Sequence, residues 1–579
     1  MNNEKKQIIL NWLKQQEETD SLTQEQRDIF ALIRESLHTK KYGLVFEEKE
    51  EDIVNEANNS ILTLKQKDLI IANNNAKKLN YLLEGDNYQA LKLLQKTHRN
   101  RIDVIYIDPP YNTGNKDFIY NDAYVDSEDA FRHSKWLSFM KKRLELAKEL
   151  LSEKGVIFIS IDDNEQSQLK LLCDEIFGEN NFISNLAVEI NPKGRKNSDF
   201  ISKTHEYCLI YAKRKSDIYF LANIPKASED MSQDENGDYI HNSGKRILVG
   251  ENKFNKFVTD FNSKKHYSVY YNKNKNDIVI KKENNIDDLD ETLKNMGYKR
   301  YISYLNDKFV ENTYTADKFI ELFNTSCLFI RENKIYEKNK NDSIRIKSLL
   351  VNKKYEAIIN NKKTIYEIDL KTTSAKQLLT KIIGSEIFSY PKNVFFIKLL
   401  ISLYPFSDAI ILDFFAGSGT TGHAVAKLNA EDGGDRAYIL CTNNENNICE
   451  DVTFKRLSNI QEELPHNLIY QKVNSINKSD FIYSYYGKEY LDQLDASSLQ
   501  LAQLQLGKLI DNKEILYFET QEEFNNYSID DLLNAKFIFI NENKIDLNEC
   551  EVYDQIQNKV ISIPNAYYEK ELKEVGYLW

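Results

Sequence analysis

From residue 61 onward, short apolar segments alternate with helical ones, and this alternation constrains the fold more than any other feature. A strongly amphipathic segment runs from Trp136 to Leu151, with apolar residues at three- and four-residue spacing. Five segments have the apolar texture of buried strands: Ile102–Ile107, Val156–Ile161, Cys208–Tyr211, Ala409–Phe414 and Tyr438–Cys441. Strands that alternate with helices in this way predict an α/β fold with a parallel sheet.

A block rich in Lys, Asn and Tyr interrupts this rhythm and divides the chain into five predicted segments. Residues 1–60 are predicted to form a helical arm, and 61–214 one half of the α/β core. The interrupting block, 215–385, lies between strands, which favours a recognition module over a second catalytic core. Residues 386–469 are predicted to complete the core, and 470–579 to form a C-terminal α/β domain.

The net charge of −12 appears unfavourable for a nucleic-acid binder, but its distribution along the chain is uneven. Residues 241–360 contain 23 Lys and Arg against 16 Asp and Glu, a balance of +7, whereas 461–579 contain 10 against 21, a balance of −11. A solvated face explains a charge run equally well. The six cysteines are scattered, and no apolar run is long enough to span a bilayer. We therefore expect a cytoplasmic prokaryotic protein without a metal site or a membrane contact.

The first chemical motif, Asp108-Pro109-Pro110-Tyr111, directly follows the strand Ile102–Ile107. Ligands of open α/β sheets bind beyond the carboxyl ends of strands, where this turn would lie. The prolines fix φ and remove two backbone donors, so the turn is rigid and exposes carbonyl oxygens. The Asp108 carboxylate and the Pro109 carbonyl could accept both N–H bonds of an exocyclic amine, and Tyr111 offers a ring for an extruded base. A plain Pro-Pro turn beside an aromatic residue is the alternative.

The second motif is glycine-rich and runs from Asp413 to Gly422, after the strand that begins at Ala409. Its glycines allow close approach to a ligand, and the N-terminus of the following helix favours an anionic group. The spacing Gly417-x-Gly419-x-x-Gly422 also fits the dinucleotide loop of a dehydrogenase. The bulky residues after Asp413 crowd a pyrophosphate turn. Together with the first motif, this loop favours the methionine carboxylate of S-adenosylmethionine.

The two motifs, in this order, resemble the β class of amino-methyltransferases, in which the catalytic turn precedes the cofactor loop. More closely, the chain resembles the modification (Mod) subunit of type III restriction-modification systems. The matching segments are 83–87, 108–114, 155–163, 205–207, 388–392, 413–422 and 438–445. The resemblance implies a Rossmann-like, circularly permuted sheet of an S-adenosylmethionine-dependent methyltransferase. It also implies an inserted target-recognition domain at 215–385 and α+β terminal extensions.

The resemblance implies a role for each matching position. Asp108, Pro109, Pro110 and Tyr111 would hold a flipped adenine. Glu445 would accept bonds from the ribose hydroxyls of the cofactor. Lys392 belongs to a motif that closes the methionine pocket, although Asn393 replaces the proline or serine often found there. The full set of implied cofactor residues is Asp86, Lys392, Asp413, Phe415, Gly417, Gly419, Thr420 and Glu445.

Contacts with double-stranded DNA are predicted for three residues. Lys193 and Arg195 flank a glycine in a basic loop, which suits phosphate contact, although a solvated loop would look the same. The segment His205-Glu206-Tyr207 resembles the motif that packs the target base. Tyr207 is the residue predicted to stack there, and a core-strand tyrosine is an equally good interpretation.

We therefore predict a site-specific adenine-N6 DNA methyltransferase that needs no metal, acting as a type III Mod subunit. The alternatives are cytosine-N4 or RNA methylation, a stand-alone β-class enzyme, and a non-catalytic DNA-recognition subunit of a nuclease complex. The chain contains no Gly-x-x-x-x-Gly-Lys-Ser/Thr motif, so cleavage would require a separate ATP-dependent restriction (Res) subunit. The resemblance also suggests a homodimer. The acidic segment 461–579 is a candidate docking surface for either partner.

Overall fold

The structure, a computed structural model, describes most of the chain. It covers residues 46–72, 78–114, 117–121, 123–194, 200–234, 236–242, 246–483, 487–541, 543–547 and 550–578, and the single positions 12, 23, 30 and 44. The helical arm predicted for 1–60 depends on apolar positions such as Ile8, Leu13, Leu32 and Leu37, which lie outside the described residues.

The strands are short, and most have fewer than nine residues. In chain order they are β1 Ser60–Ile70, β2 Leu79–Glu84, β3 Ile102–Ile107, β4 Ile119–Tyr120, β5 Ala123–Tyr124, β6 Leu151–Ile161, β7 Phe182–Glu189, β8 His205–Ala212, β9 Ile224–Pro225, β10 Met231–Gln233, β11 Tyr239–His241, β12 Arg246–Val249, β13 Ser268–Asn272, β14 Asp277–Lys281, β15 Lys299–Tyr301, β16 Tyr304–Leu305, β17 Lys308–Phe309, β18 Leu328–Ile330, β19 Ile335–Glu337, β20 Ser343–Ile344, β21 Leu349–Leu350, β22 Lys353–Ile359, β23 Lys362–Ile368, β24 Ile410–Asp413, β25 Ala437–Thr442, β26 Asn467–Asn477, β27 Ile515–Phe518, β28 Phe537–Ile540 and β29 Val560–Ser562.

The α-helices lie mainly between the strands of the larger sheet. They are α1 Asp52–Asn59, α2 Asn87–Thr97, α3 Arg132–Leu150, α4 Gln166–Phe177, α5 Glu291–Asn295, α6 Ala316–Asn324, α7 Thr372–Ile383, α8 Val394–Ile401, α9 Thr420–Asp432, α10 Lys455–Asn459, α11 Lys478–Tyr483, α12 Gly487–Leu506, α13 Gln521–Asn525, α14 Ile529–Asn534, α15 Tyr553–Ile556 and α16 Asn565–Glu574.

The chain divides into two compact units. The first comprises Met1–Tyr219 with Leu370–Trp579, and the second comprises Phe220–Asp369. The second unit lies inside the block predicted as 215–385, but the end of that prediction is wrong. The helix α7 belongs to the first unit, because its apolar residues Leu379 and Ile383 pack against Val452.

One large mixed sheet organises the first unit, with strands in the order β1-β26-β2-β25-β24-β3-β6-β8-β7. The run from β26 to β6 is parallel, whereas β1, β8 and β7 pair antiparallel with their neighbours. Strands β24 and β25 follow the insertion in the chain yet lie between β2 and β3, which precede it. The two halves of the core are therefore interleaved in one sheet, and the predicted α/β fold class is confirmed.

The central parallel strands are buried on both faces, as expected when the helices that connect parallel strands cover the sheet. All six residues of β25 are buried, as are all of β3 except Asp103. Asp103 is satisfied at its site, since its carboxylate accepts hydrogen bonds from Ile410 N at 3.0 Å and from the Tyr404 hydroxyl at 3.2 Å. The amphipathic segment is the helix α3, which packs Trp136, Met140 and Leu144 into the core.

The second unit consists of small antiparallel sheets. Strands β12, β19 and β18 form one three-stranded sheet, and β14, β13 and β15 form another. Its core is a cluster of buried apolar side chains that includes Leu248, Val269, Tyr301, Phe319 and Ile335.

The C-terminal part is less separate than predicted. A boundary at 470 is wrong because it falls inside β26, a continuous strand that pairs with both β1 and β2. Beyond it, β27, β28 and β29 form a parallel sheet. The helix α12 ends at Leu506, because Gly507 adopts φ +63° and its N–H donates to Gln503 O at 2.9 Å. Within the described part of the chain, no helix has the length and apolar character needed to cross a membrane.

A buried ion pair joins the start of α1 to α3. The Arg143 guanidinium contacts both carboxylate oxygens of Glu51, at 2.7 and 3.1 Å, and both side chains are almost fully buried. We expect Arg143→Met to lower the free energy of unfolding by about 3–5 kcal/mol, because it leaves the Glu51 carboxylate buried without a partner. Urea unfolding of the purified chain measures this change.

Arg99 supplies the matched control, because it pairs with Glu149 at 2.5 Å while both side chains remain exposed. Arg99→Met should cost less than about 1 kcal/mol. Equal destabilisation by the two variants would contradict the importance of the buried pair.

Candidate active site

The carboxyl ends of adjacent parallel strands meet at one edge of the large sheet. Asp86 follows β2, Asp413 ends β24 and Asp108 follows β3. Glu445 follows β25, which lies between β2 and β24. The two predicted motifs, separated by about three hundred residues in the chain, therefore lie on neighbouring strands, since Leu412 of β24 pairs with Ile105 of β3.

Hydrogen bonds with Trp136 and Glu165 fix the turn that follows β3. The Trp136 indole donates from Nε1 to the Pro110 carbonyl at 2.7 Å. Asn112 adopts φ +57° and is buried, and its Nδ2 donates to Glu165 Oε1 at 2.6 Å. Among the described residues, none donates a hydrogen bond to the Pro109 carbonyl. The turn is thus rigid and keeps one carbonyl acceptor available.

A cluster of four polar side chains forms at this turn, and we call it the Lys392 cluster: Asp108, Tyr111, Glu206 and Lys392. Lys392 Nζ lies 2.5 Å from the Tyr111 hydroxyl, 2.6 Å from Glu206 Oε2 and 3.3 Å from Asp108 Oδ1. The Tyr111 hydroxyl donates to Glu206 Oε2 at 3.1 Å. Lys392 was predicted to close the methionine pocket, and the structure places its ammonium against the turn that contains Asp108 and Tyr111.

Burial and mutual charge shift the pKa values in the Lys392 cluster. Burial raises the pKa of Asp108; the Lys392 ammonium opposes this shift and the Glu206 carboxylate reinforces it. Burial alone would lower the pKa of Lys392, but the two carboxylates outweigh it and raise that pKa. Lys392 is therefore a fixed cation, whereas Asp108 is a carboxylate of increased basicity.

The glycine-rich loop is organised by Asp413. This buried carboxylate accepts hydrogen bonds from Phe415 N at 3.0 Å and from the Thr421 hydroxyl at 2.5 Å. Gly417 and Gly419 adopt φ +47° and +71°, which other residues rarely adopt. A Cβ atom at Gly417 would lie 3.3 Å from the Phe388 ring, and one at Gly419 would lie 3.0 Å from Thr453.

This loop and the edge beside it suit the methionine end of S-adenosylmethionine. The chain turns back tightly at the glycines, and α9 begins at Thr420, so its N-terminus faces the loop. Phe415 is half-buried and packs against Phe139 at 5.9 Å between ring centroids. The predicted loop residues Asp413, Phe415, Gly417 and Thr420 are thus brought together in one turn.

A buried arginine that the sequence analysis missed supports the same loop. Arg456 Nη1 donates to Thr420 Oγ1 at 2.7 Å and to Ser418 O at 3.1 Å. Burial lowers the pKa of Arg456 to about 9. Its sequence context carries no signal, because a single arginine on a helix is usually exposed.

The two remaining predicted cofactor residues differ in their surroundings. Asp86 caps α2, since its Oδ1 accepts from Tyr88 N at 2.7 Å, and its Oδ2 lies 3.5 Å from Arg143. Glu445 is exposed, at the beginning of a short 3-10 helix. Both residues follow strands of the same sheet edge, but the Asp86 carboxylate is engaged with Tyr88 and Arg143, whereas Glu445 is exposed.

The predicted DNA-contacting residues lie beside β7 and β8. Lys193 is exposed in the turn after β7, and Arg195 lies outside the described residues. Tyr207 is half-buried in β8, where it pairs with Ile161, and its ring lies 5.1 Å from that of His205. Glu206 lies between them in the segment that resembles the base-packing motif, but the sequence predicts only Tyr207 as a site residue. Its position at the start of an antiparallel strand could have indicated the role, because such a strand begins where β6 ends.

Comparison with known families agrees with this geometry. The family model described as DNA methylase matches residues 102–455, which include β3, the second unit, β24 and β25. This match covers more than half of the chain. The chain belongs to the DNA methylase family.

Two relatives of this methylase are named as a type III and a type II enzyme. The type III restriction-modification enzyme EcoPI Mod subunit of Escherichia phage P1 is 33% identical over 396 residues, which cover 63% of this chain and 58% of that protein. The type II methyltransferase M.KpnI of Klebsiella pneumoniae is 33% identical over 411 residues, covering 68% of this chain and 90% of that protein. The methylase thus spans little more than half of the Mod relative.

Among solved structures, the PvuII DNA methyltransferase (cytosine-N4-specific) aligns with 67% of this chain and 94% of its own. The TM-score is 0.31 and the sequence identity is 8%. A likeness this distant carries no argument about the reaction of the methylase.

Asp413 should make the stability of the methylase pH-dependent. Burial raises its pKa from 3.8 to about 7, so between these values the folded protein holds a proton that the unfolded chain has released. The stability from this carboxyl is complete below about pH 4 and is lost as the pH rises through 7, a change of up to about 4 kcal/mol. Asp413→Asn cannot titrate.

The difference in unfolding free energy between the wild type and Asp413→Asn should therefore decline steadily from pH 4 to pH 7. Urea unfolding at several pH values measures it. A difference that stays constant over this range, or that grows with pH, would contradict the raised pKa.

Proposed function

We propose that this methylase transfers a methyl group from S-adenosylmethionine to the exocyclic N6 of adenine in double-stranded DNA. The observation that supports the proposal best is the position of the Asp108 turn and the Asp413 loop on the adjacent parallel strands β3 and β24. A base held at the first and a cofactor held at the second would lie next to each other. Enzymes gain large rate accelerations from such positioning.

The catalytic turn would hold the target amine through two acceptors. The Asp108 carboxylate and the Pro109 carbonyl would accept its two N–H bonds, which draws the nitrogen toward tetrahedral geometry and makes its lone pair available. The Pro110 carbonyl already accepts a hydrogen bond from the Trp136 indole. Of the two proline carbonyls in the turn, that of Pro109 would therefore accept the bond from the substrate. Tyr111 would stack on the flipped base.

The cofactor, when bound, supplies a methyl group already activated by its sulfonium. The loop residues Gly417, Gly419 and Thr420 would hold its methionine end, and Phe415 would pack beside it. Asp86 and Glu445 would accept hydrogen bonds from its adenosine part, with Glu445 on the ribose hydroxyls. No step of this transfer requires a metal ion, so we expect activity in the presence of chelators.

On the DNA, Lys193 and Arg195 would contact phosphates and Tyr207 would pack against the target base. The second unit would read the sequence, because it is inserted between core strands and carries an excess of positive charge within 241–360. Cytosine-N4 is the second candidate acceptor, since cytosine also offers an exocyclic amine that the same turn could hold. RNA is a third, less directly supported substrate.

We further propose that the methylase is the Mod subunit of a type III system, with a Res subunit and a second copy of itself as partners. The relatives named as type III Mod subunits support this. A stand-alone enzyme is the alternative, favoured by the match to 90% of M.KpnI. Gel filtration and co-purification with a co-expressed Res subunit distinguish the two.

Two variants should separate chemistry from cofactor binding. Asp108→Ala should lower the single-turnover rate of methyl transfer by about a hundredfold or more while the cofactor still raises the melting temperature. Gly417→Leu should abolish that rise, because a leucine side chain is strained at φ +47° and meets Phe388. Asp126→Ala, at an exposed turn, is the control. Wild-type transfer by Asp108→Ala would refute the role of this carboxylate.

A further inference from the structure

The Lys392 cluster holds one cation between two carboxylates, and the cation is shared unequally. Lys392 Nζ is 2.6 Å from Glu206 Oε2 but 3.3 Å from Asp108 Oδ1. Asp108 Oδ1 is buried, and its contact with the Lys392 ammonium at 3.3 Å is an ion pair that does not meet the geometry of a hydrogen bond. Buried polar atoms are nearly always hydrogen-bonded, so an acceptor left in this state is available for a donor that arrives with a ligand.

The charges of the Lys392 cluster explain why a second carboxylate is needed. If Lys392 faced Asp108 alone, the two would form a close ion pair and the ammonium would occupy the acceptor that a target amine requires. With Glu206 present, one ammonium serves two carboxylates and the cluster keeps one negative charge. That charge lies beside an amine that becomes positive as it is methylated.

The backbone holds these side chains in place. Glu206 is the second residue of β8 and pairs with Val188 of β7. Lys392 lies between buried Pro391 and Asn393, which caps α8 by accepting from Phe395 N at 2.9 Å. Glu206 lies in a strand and Lys392 lies directly before a helix. The fold therefore sets the unequal distances from the Lys392 ammonium to the two carboxylates.

We propose that Glu206 is a positioning residue for methyl transfer: it takes the Lys392 ammonium and so keeps Asp108 Oδ1 free to accept a hydrogen bond from the target amine. The proposal rests on the proposed function. The Glu206 proposal goes beyond that function because it places a required residue on β8, outside both sequence motifs.

The test is a double-mutant cycle with Glu206→Gln and Lys392→Met. Glu206→Gln leaves the ammonium with Asp108 as its sole anionic partner, and should slow single-turnover transfer about tenfold at saturating DNA and cofactor. Lys392→Met removes the cation that the two carboxylates share, so their mutual repulsion is no longer offset, and should also slow transfer. The double variant restores a lone, unpaired Asp108 and should be about tenfold faster than either single variant.

Affinities for DNA and S-adenosylmethionine, measured separately, should change less than about threefold in Glu206→Gln, because the effect is on the acceptor and not on binding. The matched control is Glu153→Gln, since Glu153 pairs with Arg214 in an exposed contact at the opposite end of β6 and β8. It should transfer at the wild-type rate.

Glu206→Gln at the wild-type rate would overturn the proposal, and so would a double variant as slow as the slower single one. If Glu206→Gln fails to fold, the comparison of Lys392→Met with the double variant still decides, because adding Glu206→Gln must then raise the rate. A wild-type chain that transfers no methyl group would instead contradict the proposed function itself.

Discussion

The parallel pairing of β24 with β3 is the contact on which the candidate site depends. These strands come from chain segments on opposite sides of the second unit, and their register places Leu412 against Ile105. Backbone hydrogen bonds between buried strands are costly to break, so the alignment of their carboxyl ends is fixed by the core. The Asp108 turn and the Asp413 loop become neighbours as a consequence, although each motif is local in sequence.

The burial of charged side chains is the second constraint. The first unit stabilises each buried charged group in a different way. Glu51 and Arg143 neutralise one another through two hydrogen bonds. Asp413 is stabilised by a backbone N–H and a hydroxyl, yet burial still raises its pKa to about 7. In the Lys392 cluster, in contrast, Asp108 Oδ1 forms an ion pair with Lys392 at 3.3 Å but no hydrogen bond. A buried acceptor in this state calls for an explanation, and a donor that arrives with a ligand is one.

Much of the core could be predicted from the sequence, because buried parallel strands are continuous apolar runs and the two motifs directly follow such runs. The interleaved strand order could not, since periodicity carries no information about which strands pair. The end of the second unit was misplaced because α7 shows the same helical pattern whichever unit it packs against. The boundary at 470 failed because the strand β26 begins before it and continues past it.

The contacts within the site were less predictable than its composition. Asp108, Tyr111 and Asp413 could be selected from local motifs, whereas Glu206 and Arg456 act through partners far away in the chain. Lys392 was predicted to close the methionine pocket, and its ammonium contacts Glu206 and Asp108, which no local motif relates to it. Long-range ion pairs depend on side-chain geometry that no spacing rule encodes.

We propose that the amino group of adenine in DNA is the methyl acceptor of this chain. Incubating unmethylated duplex DNA of high sequence complexity with the purified chain and S-adenosylmethionine carrying a deuterated methyl group tests it directly. Mass spectrometry of the digested nucleosides should find the label in N6-methyldeoxyadenosine. Label in N4-methyldeoxycytidine, or no labelled nucleoside at all, would contradict the account.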